Sequence, residues 1–473
     1  MRPLETLIPT VLAVFLAWPV FSGGGRPRWV RFLPALALLL TLVHLFIEKT
    51  RWQMLPLYIL VGLGFLLSLR NRSASRVPMG AASRGRNAGS IVGLFLLALA
   101  AALPLLLPVP KLPTPSGPYA VGTFSTMLVD ESREEIYSDQ PGEPRRLMVQ
   151  FWYPAQPAAG AQPGPWMDAM EIMGPAISRW LDLPPFFLDH LRLARTHSYP
   201  EAPLLPGTER FPVLLFSHGW SGFRQQNTYQ VEELASHGYV IVAVQHTYGS
   251  MATVFPDGQV APLNPDALPT GLSGEAYQKA ANRLVTQWAQ DLSFVLDTLE
   301  GLNAKDPSGR FTGRLDMENV GAFGHSTGGG AVIEFCSREP RCKAGLTMDA
   351  YMIPVSLSIV NQGALSQPFL FMFSERWPTE RNTSLFNHLY TQLSTPAYQI
   401  TLPGTDHYDF TDMPMLSPVA PWLGLKGPLK GSRVMQIVDG FSRAFFDTYL
   451  KGQPSPLLER PESAFPEVTF KRR

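Results

Sequence analysis

Cysteine, charge and, over the first stretch, acidic residues are all scarce in this chain of 473 residues. Two cysteines, Cys336 and Cys342, exclude a disulfide framework and a cysteine-rich metal site. They leave two readings open: one bridge outside the cytoplasm, or two buried thiols. Charged residues make up 16% of the chain, against a usual share of about 25%. With 45% hydrophobic residues, so little charge excludes an intrinsically disordered chain. The formal net charge of +1 offers no attraction to nucleic acid or another polyanion. No internal repeat is visible. The 45 prolines cluster in connecting segments and exclude a long helical repeat or coiled coil.

The near-neutral total is an average over two unlike parts. Residues 1–110 hold eleven Lys and Arg but only two acids, Glu5 and Glu48, a net of +9; the remainder carries −8. Four apolar stretches fill this basic part: Leu4–Phe21, Trp29–Ile47, Trp52–Leu69 and Ile91–Leu107. Each approaches the roughly 20 residues that cross a bilayer core, so residues 1–110 are expected to form a four-helix transmembrane region. Arg26, Arg28, Arg31 and the five arginines of Arg70–Arg86 lie in two loops on one side. Arg2, Lys49 and Arg51 lie on the other. The positive-inside rule puts the Arg-rich loops in the cytoplasm and everything after Leu107 outside it. No cluster of ionisable residues is expected within the bundle, which reads as an anchor rather than a transporter. A Pro-rich linker, residues 111–118, follows.

Residues 119–473 read as one catalytic domain. Short apolar runs such as Pro212–Ser217 and Val240–Gln245 alternate with helical runs such as Gln226–His237, Ala276–Glu300 and Ser432–Leu450. Further strands are expected at Val121–Val129, Leu147–Tyr153, Asn319–Gly324, Ala344–Met348, Phe369–Phe373 and Tyr398–Leu402. Continuous apolar strands alternating with helices indicate an α/β fold with a doubly wound, mostly parallel sheet. Residues 154–206 interrupt the pattern. They read as an excursion packed on the sheet or as a lid that meets lipid, with Trp166, Met170, Ile177, Trp180, Phe186 and Phe187 on its apolar side.

Chemistry concentrates at Gly324-His325-Ser326-Thr327-Gly328, a G-x-S-x-G string between the strand ending at Gly324 and the helix beginning at Thr327. That placement is a nucleophile elbow, with Gly324 and Gly328 needed where side chains would clash. The serine requires a base and the base an orienting acid, in the chain order Ser, acid, His. Downstream histidines are His388, in a helical run facing solvent, and His407, in a loop after a strand; His407 is the candidate base. Asp349 and Glu375 each end a strand, and residue mechanics leave both open as the acid. Thr327 and Trp220 are the expected backbone N–H donors of an oxyanion hole. His218 reads as a hydrogen-bonding element of the Ser217-His218-Gly219-Trp220 turn. His237 and His246 have no ligand spacing around them, and neither a metal nor a cofactor is implied.

The strings PVLLFSHGWSGFR, ELASHGYVIVAVQH, VGAFGHSTGGGAV, LTMDAYMIP and GTDHYDFTD stand in this order. Together they resemble the plasma-type platelet-activating factor acetylhydrolase family and its bacterial relatives, over roughly Tyr119–Gly452. The resemblance implies the α/β-hydrolase fold. It implies Ser326 in GHSxGG as nucleophile and His407, ahead of Phe410 and Asp412, as base. It favours Asp349 as the acid, in Asp349-Ala350-Tyr351, where tyrosine replaces the family's tryptophan. The implied activity is calcium-independent hydrolysis of short or oxidised acyl chains at the sn-2 position of glycerophospholipids. The four spans, which the secreted enzyme of that family lacks, are expected to hold this chain in a bacterial inner membrane with its catalytic domain outside the cytoplasm. The alternatives are a broad carboxylesterase or polyester hydrolase, and a catalytically idle membrane receptor or scaffold.

Overall fold

The computed structural model describes residues 1–22, 27, 29–73, 82–377 and 379–473, with backbone alone for residues 70–73 and 82–87. Of the loop arginines, Arg26, Arg28 and Arg76 lie outside the described residues, as do the side chains of Arg70, Arg72, Arg84 and Arg86. The chain divides into two compact units: Met1–Pro110 with Asp189–Leu193 and Leu416–Val419, and the remainder.

The first unit is built on α1 (Pro3–Phe21), α2 (Leu33–Ile47), α3 (Leu55–Ser73) and α4 (Ala82–Leu106). Pro3 and Pro34 sit in first turns, where a missing N–H costs nothing. Helical segments Pro3–Phe21, Trp29–Ile47, Trp52–Leu69 and Ala88–Leu106 are long and apolar enough to cross a membrane. Ile8, Leu12, Phe15, Ala37, Leu57 and Val61 form the seam between the helices. Phe21, Leu39, Phe46, Leu66 and Phe95 point outward, an apolar exterior that suits lipid rather than water.

One expectation fails here. Ionisable residues do gather within the bundle, at one end rather than at mid-depth. Arg51 grips Glu5 with two hydrogen bonds, Nε to Oε1 at 2.6 Å and Nη2 to Oε2 at 2.8 Å, and donates to the carbonyls of Leu107 and Pro104. Arg2 Nη2 donates to Glu5 Oε1 at 2.8 Å, and Arg2 Nη1 donates to the Glu48 carbonyl. Tyr58 Oη lies 3.0 Å from His44 Nδ1. Sequence spacing hid the cluster because its members come from the ends of different helices. Glu5, His44 and Glu48 offer ligand atoms within 4.8 Å of one another. Two guanidinium groups already occupy the Glu5 oxygens, so the cluster is an ion-pair clasp.

The second unit is a sheet with helices. Its strands are β1 (Ala120–Glu134), β2 (Pro144–Ala155), β3 (Ser198–Pro200), β4 (Phe211–Ser217), β5 (Val240–Gln245), the separate hairpin β6 (Ala252–Val254) and β7 (Val260–Pro262), β8 (Leu315–His325), β9 (Cys342–Met348), β10 (Phe369–Ser374), β11 (Ala397–Leu402) and β12 (Thr469–Arg472). Its helices are α5 (Met170–Trp180), α6 (Thr228–Ser236), α7 (Gly274–Ala304), α8 (Thr327–Arg338), α9 (Leu357–Gln362), α10 (Glu380–Gln392) and α11 (Gly431–Leu450). The spatial order is β12-β11-β10-β9-β8-β4-β5-β2-β1-β3. Strands β5 through β11 of this order run parallel, while β2 and β12 pair antiparallel at its flanks. Every residue of β4 and β5 is buried, as their unbroken apolar sequences require. In α7, Leu284, Val285, Trp288, Leu292, Val295 and Leu299 recur at helical spacing and close one face of the sheet. Cys336 and Cys342 are bridged, tying the end of α8 to the start of β9. Sequence patterning missed β3, the β6–β7 hairpin, α9 and β12, which are too short to carry a period.

Candidate active site

Parallel β8 runs directly into α8, and Ser326 occupies the single residue between them. Its φ of +56° is strained for a residue with a Cβ; such strain costs about 1–3 kcal/mol and persists where surrounding structure enforces it. The enforcement is visible. Ser326 N–H donates to the Met348 carbonyl at 2.9 Å, and Ser326 C=O accepts from Tyr351 N–H at 2.9 Å. Gly324 and Gly328 let the elbow close. A Cβ at Gly324 would stand 2.5 Å from the Gly328 oxygen, and one at Gly328 only 2.2 Å from the Ser217 oxygen.

Asp349 directly follows β9 in a left-handed conformation (φ +46°) and is fully buried. Its Oδ2 accepts from His407 Nδ1 at 3.0 Å and from Ser374 Oγ at 2.6 Å; its Oδ1 accepts from Ser374 N–H at 2.8 Å. Burial pushes the His407 imidazole down to about 3. Burial also pushes the Asp349 carboxyl up to about 7, against the Ser374 donors that lower it. Both shifts are the cost of taking charge out of water, and the direction that matters is that of His407, which rests as a free base. The Asp349 bond fixes a proton on Nδ1 and leaves the Nε2 lone pair available. Ser326 and His407 line one cavity of about 330 Å³ with Trp180, Trp220, Tyr351 and Trp377.

Glu375, the other acid candidate, is not beside His407. It is exposed and accepts the Gly404 N–H at 2.9 Å. His388 is exposed on α10. The downstream pair Phe410 and Asp412 secures the His407 loop. The Phe410 carbonyl accepts from Asn227 Nδ2 at 2.7 Å. Asp412 takes Trp166 Nε1–H at 2.7 Å and the N–H groups of Thr228 and Tyr229 at the start of α6. Trp166 is therefore committed to this bond rather than to a lipid-facing side.

At the expected oxyanion turn, Gly219 N–H is taken by Gln226 Oε1 at 3.2 Å. Trp220 N–H has no hydrogen bond among the described residues. Thr327 begins α8, whose first N–H groups have no partner within the helix. Beneath the turn lies a second Ser–His–Asp chain that the sequence did not reveal. Ser217 Oγ meets His246 Nε2 at 2.9 Å and His246 Nδ1 meets Asp291 Oδ2 at 2.9 Å, all fully buried. Arg145 holds Asp291 through Nε at 3.1 Å and Nη2 at 2.6 Å. His218 donates from Nδ1 to the Gly219 carbonyl and accepts the His246 N–H at Nε2, the hydrogen-bonding role expected of it. Burial lowers both imidazoles, so both are neutral struts under the turn. Sequence reading also missed Ser374 and Trp377. The one signal for either is that both stand at the end of β10, the commoner position of the acid in this fold.

A mostly parallel sheet with a strained serine between strand and helix, and a histidine in the same cavity bonded to a buried aspartate behind it, defines the class: an ester hydrolase of α/β-hydrolase build. The structure is similar to ferulic acid esterase from Streptomyces cinnamoneus, with a TM-score of 0.62 and 29% identity over 76% of this chain and 99% of that one. More specifically, residues 108–454 match the family described as platelet-activating factor acetylhydrolase, isoform II, and the chain belongs to it. Relatives include the platelet-activating factor acetylhydrolases of Cavia porcellus (29% identical over 57% of this chain) and Gallus gallus (25% over 72% of this chain and 84% of that one). The match spans 65% of the Cavia porcellus protein, slightly under two thirds of its length. A probable 1-alkyl-2-acetylglycerophosphocholine esterase of Arthroderma benhamiae is 24% identical over 76% of this chain and 93% of its own.

Proposed function

We propose that the chain is a membrane-tethered serine esterase that hydrolyses short or oxidised acyl chains at the sn-2 position of phospholipids. The observation that carries this is that His407, held by the 3.0 Å bond to buried Asp349, lines the same cavity as the strained Ser326. His407 Nε2 takes the Ser326 hydroxyl proton as Oγ bonds to the ester carbonyl carbon. The N–H groups of Trp220 and Thr327 hold the resulting oxyanion. The tetrahedral intermediate expels the alcohol, which receives the proton from His407. Water, deprotonated by the same imidazole, then releases the acid and restores Ser326. Asp349 keeps the ring in the required tautomer and offsets its transient charge.

In this proposal residues 1–110 are the anchor, residues 111–118 the linker and residues 119–473 the catalytic domain, with residues 154–206 as a lid insertion. The Arg-rich loops face the cytoplasm of a bacterial inner membrane and the catalytic domain lies outside. The Cys336–Cys342 bridge supports an oxidising compartment.

A broader carboxylesterase reading is favoured by the cavity wall, where Trp180, Trp220, Tyr277, Tyr351, Trp377 and Tyr408 suit an aryl group as well as a short acyl chain. Profiling the full-length protein on phospholipids of graded sn-2 length, beside aryl esters and a soluble polyester, separates the two. Ser326→Ala is expected to abolish p-nitrophenyl acetate hydrolysis and fluorophosphonate labelling; turnover at the wild-type rate would sink the assignment.

A further inference from the structure

The loop leaving β10 and the loop leaving β11 are fastened together by consecutive contacts. Glu375 Oε2 accepts the Gly404 N–H at 2.9 Å, and Arg376 Nε stands 3.6 Å from Asp406 Oδ1. The next residue, Trp377, stacks on His407, with ring centroids 3.7 Å apart and planes 18° from parallel. The indole Nε1–H is covered and has no hydrogen bond among the described residues, so stacking rather than a polar tether sets the ring's place. A second ring, His325, lies 4.4 Å from His407 at 35°. Its neutral tautomer is set by two bonds: Nδ1 accepts from Gln226 Nε2 at 3.0 Å, and Nε2–H donates to the His407 carbonyl at 3.0 Å.

In the mechanism above, His407 is neutral at rest and becomes an imidazolium only while the tetrahedral intermediate lasts. Burial opposes that charge, and one carboxylate stands against it. The negative face of an indole attracts a cation lying over it, and most strongly where water is excluded. A 3.7 Å parallel stack presents that face to the full imidazole ring. We propose that Trp377 is the cation-stabilising partner of His407, favouring the imidazolium of the transition state over the resting imidazole. This rests on the assignment of His407 as the base.

Groups other than Trp377 in contact with this ring are Asp349 after β9, His325 at the end of β8 and Tyr408 on its own turn; the paired Arg376 and Asp406 adjoin Trp377 and His407 along the chain, and Asp409 lies two residues on. All are unchanged by replacing Trp377. In full-length protein, Trp377→Leu is expected to lower kcat by about 5- to 30-fold, the range corresponding to a desolvated cation–π contact. KM should stay within about twofold, and Trp377→Phe should fall between wild type and the leucine variant, because phenylalanine is the weaker partner. The loss should be equal on p-nitrophenyl acetate and p-nitrophenyl butyrate. The acid limb of kcat/KM should move to lower pH, since a contact that favours the protonated ring has been lost. Unchanged kcat, or a loss that depends on acyl length and appears in KM with the acid limb in place, would make Trp377 a pocket wall and overturn the proposal. Fluorophosphonate labelling of wild-type Ser326 separates the two levels. Without labelling, the esterase reading and this one fall together; with labelling and an unaffected leucine variant, only this one falls.

Discussion

Replacing Asp349 by asparagine is the sharpest test of the site, because the change is nearly isosteric and the geometry dictates its outcome. The Ser374 N–H is a fixed backbone donor 2.8 Å from Oδ1, so the asparagine oxygen must take that position. Its NH2 then occupies the place of Oδ2, 2.6 Å from Ser374 Oγ and 3.0 Å from His407 Nδ1. The serine hydroxyl can rotate to accept. His407 can accept only by losing its proton from Nδ1, which moves it to Nε2, the atom that must receive the Ser326 proton. The opposite flip sets two donors against each other, at a cost of roughly 1–3 kcal/mol for a buried unsatisfied group. The fold is therefore retained and the tautomer is wrong, a defect worth about 10⁴ in kcat in a Ser-His-Asp enzyme. The assay is kcat on p-nitrophenyl acetate at neutral pH, with circular dichroism to show the fold intact. Glu375→Gln should leave kcat within about twofold, because Glu375 reaches only the Gly404 N–H. Near-wild-type turnover by Asp349→Asn, or a larger loss in Glu375→Gln, would refute the reasoning.

Three further outcomes follow from the geometry. In the proposed mechanism the base form of His407 is the active one, and burial lowers its pKa below the ordinary 6.5. The acid limb of kcat/KM should therefore lie below pH 6.5 and activity should be lost only as pH falls through the depressed value; a limb at or above 6.5 would contradict the burial argument. Gly328→Ala puts a Cβ 2.2 Å from the Ser217 oxygen and 2.3 Å from the His218 oxygen. It should cost about 10² or more in kcat through displacement of the oxyanion turn, and full activity with an unshifted melting temperature would count against that turn. Replacing Cys336 and Cys342 by serine opens a short loop, worth about 2 kcal/mol by loop-closure entropy; denaturant unfolding with and without reductant measures it, and no difference would show the bridge to be idle.

Elements with a strong period were legible in the sequence. The continuous apolar runs of β4 and β5 and the helical spacing of α7 and α11 fall within a few residues of their observed bounds. Ser326 was legible because a strand, a glycine-flanked serine and a helix in that order admit few structures. Asp349 was not separable from Glu375 by residue mechanics. Both end parallel strands, and what distinguishes them is the direction of a side chain after a left-handed turn, which sequence spacing does not encode. The Ser217–His246–Asp291 chain joins residues 29 and 45 positions apart. Only the parallel order of β4 and β5, with α7 across them, brings them together. Trp377 escaped notice for the same reason, since a tryptophan beyond a strand end carries no pattern until the neighbouring loop is in place.

The clasp formed by Arg2, Glu5, Glu48 and Arg51 bears on how the proposed anchor is made. Glu5 leaves the ribosome long before Arg51, and Arg51 before the carbonyls of Pro104 and Leu107 that complete its hydrogen bonds. The first helix must therefore wait, its carboxylate held by Arg2 alone, for the segments that carry Arg51 and these carbonyls to arrive. The four helices are thus one assembly step rather than four interchangeable segments. Cutting the anchor back by its first span would not yield a shorter anchor; it would strand Arg51 without its carboxylate at the end of the bundle.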